Sequence, residues 1–191
     1  MTNREEWLTS AAAELERELF LPLNKKMPVK WRVSCSWPSR GAASSKNATI
    51  GQCFSPNVSG DTTTEMLVSM SQDDPTEVLA ILAHEMVHAI EGLEAGHGKV
   101  FKRTALAIGL TGKMTNTRPG EAFKRDVAPI LERLGPYPHA AVDITQRKKQ
   151  GTRMVKMECK ECGYIARTTK TNIETVGPTI CPCNHLPMNV E

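Results

Sequence analysis

The stretch HEMVHAIEGLEAGHGKVF, residues 84–101, holds three of the chain's five histidines and a glutamate between two of them. Everything around it favours a helix. Asp74 is placed to cap the first turn, Pro75 fits the first helical position, Glu77 adds a capping-box pattern, and Gly92 is suited to end it. At about 100° per residue, His84 and His88 fall about 40° apart, one turn above the other. Leu79, Leu82, Met86 and Ile90 gather on the opposite side, so the helix is expected to be anchored in the core with both imidazoles on one open face.

Two neutral imidazoles at that spacing can share one Zn²⁺, and a catalytic zinc site needs a third protein ligand and an open fourth position. His97 is the expected third ligand, because a short loop through Gly96 can fold it back as the next helix opens. The scheme H-E-x-x-H-x-x-G-x-x-H is excluded, since positions 91 and 94 are both glutamate. Those two read as solvated surface, and Glu121 on a later helix is a lesser candidate ligand. Glu85 is offset toward the same side but does not easily reach the same ion. It can reach a water activated there and take its proton, which is the physical content of H-E-x-x-H. Hydrolysis of a peptide bond also needs a donor for the developing oxyanion. Tyr137 and His139, on the proline-stiffened segment GPYPHAAVD, are candidate donors; the simpler reading packs the first and exposes the second.

Six cysteines accompany this cluster. Cys35 and Cys53 lie in strand-like sequence and read as small buried hydrophobes. Cys159, Cys162, Cys181 and Cys183 form a C-x2-C, an eighteen-residue spacer and a C-x-C. That is the layout of a zinc ribbon with a closed, structural site. Because the second pair has one spacer residue, His185 is an alternative to one of the cysteines. No basic and apolar leader opens the chain, and no apolar run approaches the ~20 residues that cross a bilayer, so a cytoplasmic protein is expected. In that setting clustered thiols bind metal more often than they pair.

The remaining organisation is α+β. Residues 4–20 read as a helix stopped by Pro22 and Pro28. Residues 29–37, 49–55 and 63–70 read as three strands of a small antiparallel or mixed sheet. Helices are expected at 99–108 and 120–134. The domain plan is 1–142, a basic linker 143–153 and the ribbon 154–191. Between 141 and 170 eight basic residues face three acidic ones, although the whole chain carries only +3. Lys148, Lys149 and Arg153, with the ribbon, are a candidate footprint for DNA, whose binding would weaken steeply with salt.

AHEMVHA (83–89), GHGKVF (96–101) and the C-terminal C-x2-CG…CPC together resemble the SprT-like zinc metallopeptidases, the family of the Spartan DNA–protein crosslink proteases. The likeness runs from about Trp31 to the end and is greatest to short phage and bacterial members. It implies a zincin-like domain, with an N-terminal helix, a small three-stranded sheet, the H-E-x-x-H helix and further helices, plus a small zinc ribbon. It implies His84, His88 and His97 as zinc ligands, Glu85 as catalytic base, a protein or peptide substrate, and association with DNA or the transcription machinery. Two other function classes fit the same residues: a non-catalytic nucleic-acid-binding or transcription-associated zinc protein, and a metal-dependent amidase acting on a small molecule.

Overall fold

The computed structural model describes residues 3–42, 48–146 and 154–190. It divides into two compact units, Met1–Gln146 and Arg147–Glu191, and both mix helices with small sheets. No helix among the described residues is long and apolar enough to cross a membrane.

In the first unit, α1 (Arg4–Leu15) starts where the Asn3 side chain accepts the Glu6 N–H, and it buries Trp7, Leu8, Ala11, Ala12 and Leu15. The coil runs on through a wider π turn (Glu16–Phe20) and a 3-10 turn (Leu21–Leu23). Pro22 therefore sits inside the helical path rather than ending it. It occupies the start of a turn, where a missing N–H costs nothing. Asn24, with φ 57°, makes the stop.

The strands β1 (Trp31–Cys35), β2 (Gly51–Phe54) and β3 (Thr64–Val68) form one mixed sheet in the order β1-β3-β2. β1 runs parallel to β3, and β2 runs antiparallel to it. Among the described residues, β2 therefore lies at an edge of the sheet. Alternation along β3 sends Thr64, Met66 and Val68 into the core.

Against the sheet lies α2 (Pro75–Glu91), capped by Asp74 accepting from the Glu77 N–H and closed by Gly92 at φ 85°. Leu79, Leu82, Ala83 and Met86 are fully buried, whereas Ile90 is only partly so. Next come α3 (Lys99–Ala107), a hairpin of β4 (Leu110–Lys113) and β5 (Asn116–Pro119), and α4 (Glu121–Leu134). The hairpin departs from the sequence reading, which left 110–119 unassigned. LTGKMTNTRP is too polar and too rich in breakers to carry a strand signal; its backbone is ordered by pairing, not by burial of an apolar face. α4 buries Phe123, Val127, Ile130 and Leu134 and tolerates Pro129 on its exposed side.

Gly109 joins α3 to the hairpin with φ 84°, and a Cβ there would stand 2.5 Å from the Phe123 backbone nitrogen. Gly109→Ala is therefore expected to cost at least the ~1–3 kcal/mol of a strained left-handed residue, read as a lowered Tm with the same metal content. An unchanged Tm would contradict this packing.

The second unit comprises β6 (Met154–Glu158), β7 (Ile165–Thr169), α5 (Lys170–Val176) and β8 (Asn189–Val190), with antiparallel order β7-β6-β8. Its buried residues are Met157, Cys159, Cys181 and Met188, with Ala166 and Ile173 packed on them.

Candidate metal centres

α2 presents His84 and His88 on one face, and the 3-10 turn Leu93–Ala95 swings His97 back onto them. The Nε2 atoms of His84 and His97 are 3.2 Å apart, as are those of His88 and His97. Nitrogens about 2.0–2.1 Å from a tetrahedral ion stand about 3.3 Å from one another, so the three imidazoles have the spacing of one metal's ligand set. Burial first, then the charges of His88 and His97, pushes His84 down to about 3. Burial first, then His97, pushes His88 down to about 4, and burial lowers His97. His84 and His88 are therefore neutral at pH 7, and His97 is biased the same way, toward the form whose lone pair can bind a cation.

Two supports of this cluster carry no signal in the spacing of the histidines. Phe101, fully buried one turn into α3, lies under all three rings, with centroids 4.8, 4.4 and 5.0 Å from His84, His88 and His97. Thr117 Oγ1, on β5, is 2.8 Å from His84 Nδ1. With Thr117 Oγ1 as acceptor, the His84 proton sits on Nδ1 and the Nε2 lone pair faces the other histidines. Thr117→Val should weaken metal binding about 10–100-fold with little change in Tm, and Thr117→Ser should restore it. Equal affinity in the valine variant, by competition with a chromophoric chelator, would remove Thr117 from the site. His88 Nδ1 is buried without a partner among the described residues.

Glu85 is buried beside the cluster, and burial lifts its carboxyl to about 8. A Cβ on Gly51 of β2 would collide with its Oε1 and with Ile81, so the absence of a side chain there is what admits the carboxylate. Histidines and glutamate open into a cleft of about 740 Å³. Its walls include residues 48–53, leading into and along β2, and Lys113, Thr115, Asn116 and Thr117 of the hairpin. Cys53 lines it too, its thiol pushed up to about 12 by burial and then by Glu85, which keeps it protonated.

Tyr137 and His139 are not among the residues that line this cleft, so the donor reading gives way to the simpler one for Tyr137, which packs, while His139 is half-buried rather than exposed. The Tyr137 ring is buried, with its centroid 4.9 Å from that of Trp7. His139 is held by Nε2 to the Met70 carbonyl and by Nδ1 to Arg4. The Trp7 N–H bonded to the Gly135 carbonyl shows what governs this segment: it is tied to α1. Glu121 is exposed and paired with Lys124, and Glu91 is tied to Lys25 and Thr104. Neither joins the histidines.

The four C-terminal cysteines converge. Sulfur separations are 3.7 Å for Cys159–Cys183, 3.5 Å for Cys162–Cys181 and 3.4 Å for Cys181–Cys183. Sulfurs about 2.3 Å from a tetrahedral ion are about 3.8 Å apart, so this set also fits a metal. His185 is exposed and lies outside the group, leaving four thiols as the donor set. Lys148, Lys149 and Arg153, the candidate DNA contacts, lie outside the described residues.

No protein-family model, curated protein or solved structure matches the chain.

Proposed function

We propose that this chain is a zinc-dependent metalloendopeptidase of the SprT-like, zincin type, with a zinc ribbon as its second unit. One observation carries the reading: three imidazole nitrogens at ligand spacing share a cleft with the buried Glu85 carboxyl group. A purely structural ion has no use for that carboxylate, which is costly to bury. This favours an enzyme over a non-catalytic zinc protein.

His84, His88 and His97 would hold the ion, Thr117 and Phe101 fixing their rings. A divalent ion held there would supply Lewis acidity for a peptide carbonyl, and its charge would favour the ionised form of Glu85. Glu85 then accepts a proton from water and returns it to the leaving amine. β2, an edge strand among the described residues, runs along the cleft and suits an extended peptide hydrogen-bonded as an added strand, which speaks for a polypeptide rather than a small amide as substrate.

The test is cleavage of an unfolded protein substrate by the full chain. Activity should disappear with a chelator and return with Zn²⁺ in step with refilling of the histidine site. Refilling without cleavage, across a panel of unfolded substrates, would sink the peptidase reading and favour the binding-protein alternative.

A further inference from the structure

The two cysteine turns differ in sequence, CKECG against CPCNH, yet their backbones are equivalent. In the first, the Gly163 N–H donates to the Cys159 carbonyl at 2.9 Å, and the Cys159 N–H donates to the Tyr164 carbonyl at 3.0 Å. In the second, the His185 N–H donates to the Cys181 carbonyl at 2.8 Å, and the Cys181 N–H to the Leu186 carbonyl at 2.9 Å. Both turns close on a left-handed residue four positions after the first cysteine: Gly163 at φ 72° and His185 at φ 56°. This explains why His185 is no ligand. It fills the position that glycine fills in the first turn.

In the register that these bonds set, Cys162 corresponds to Asn184, not to Cys183. The second turn is thus a C-x2-C knuckle whose ligand has moved back by one residue. Asn184 stands in the vacated position and is locked in it, since its Oδ1 accepts the Leu186 N–H at 3.0 Å. That fixes the amide with Nδ2 facing the Cys159 sulfur, at 3.9 Å. A cluster of four thiolates around one divalent ion carries net negative charge, and N–H groups aimed at sulfur offset it.

We propose that Asn184 is a positioning residue of the thiolate centre: it replaces the missing second cysteine of a C-x2-C turn with a hydrogen bond to the Cys159 sulfur, while Cys183 supplies the fourth sulfur from one residue earlier. The proposal rests on reading the cluster as a metal centre, and the test separates the two.

The experiment titrates the full chain with Co²⁺, follows the thiolate-to-cobalt charge-transfer band, and measures Zn²⁺ affinity by competition. Asn184→Asp keeps the acceptor for the Leu186 N–H and the turn, but replaces the donor by a carboxylate. Asn184→Ala removes both. Both variants should bind about 10–100-fold more weakly, with the band moved to longer wavelength as the sulfur lone pairs lose a donor. A role confined to the turn predicts that Asn184→Asp behaves as wild type, and that result would overturn the proposal. In the double variant Cys183→Ala/Asn184→Cys the four-sulfur band should return, whereas Cys183→Ala alone should lose it. A double variant no better than Cys183→Ala would overturn the register. No thiolate band in the wild-type chain would overturn the metal-centre reading itself.

Discussion

Replacing Glu85 by glutamine will abolish most proteolysis while both metal sites stay filled. Glutamine matches the shape that Gly51 and Ile81 leave for this side chain, so the cleft wall keeps its packing. What is lost is the ability to accept a proton. General-base groups contribute about 10²–10⁴ in rate, and turnover of an unfolded protein should fall by that factor. Metal content should remain two ions per chain, because Glu85 is not among the three converging donors. Loss of the ion in this variant would make Glu85 a ligand instead. Undiminished cleavage would remove it from the chemistry altogether.

Chelation will unfold the second unit and leave the first folded. The second unit buries little besides Met157, Met188 and two of the cysteines themselves. Its strands run two to five residues and its helix seven. Such a core cannot offset the entropy of ordering the chain, whereas a structural zinc contributes on the order of 10–16 kcal/mol at pH 7. In the first unit the histidines are mounted on α2, whose inner face is held by Leu79, Leu82 and Met86 regardless of any ion. Hydrogen exchange read segment by segment is the check: amides of β6 and β7 should lose protection in chelator, and those of α2 should keep it. Protection surviving in β6 would show that the unit stands without metal.

The part of this molecule legible in the sequence is the part specified by local rules. The capped, apolar-backed α2 follows from Asp74, Pro75 and the leucine spacing, and α4 from Phe123, Val127, Ile130 and Leu134. The grouping of His84, His88 and His97 follows from one helical turn and one short loop. What escaped were contacts between distant segments. Thr117 reaches His84 across thirty-three positions on a hairpin with no apolar alternation. Gly51 reveals itself only once β2 lies against α2. Tyr137 and His139 were chemically apt but misplaced, because their segment is pinned to Trp7, Arg4 and Met70 by bonds that periodicity cannot register.

β5 performs two tasks within neighbouring residues: Asn116 forms part of the cleft wall, and Thr117 orients a histidine. On the proposed function, occupancy of the groove and tenacity of the ion would thereby be thermodynamically linked through one short ribbon of backbone. Linkage is reciprocal. On that reading, a polypeptide that steadied the ribbon would tighten binding of the ion, and the ion would raise the affinity of the groove by the same factor.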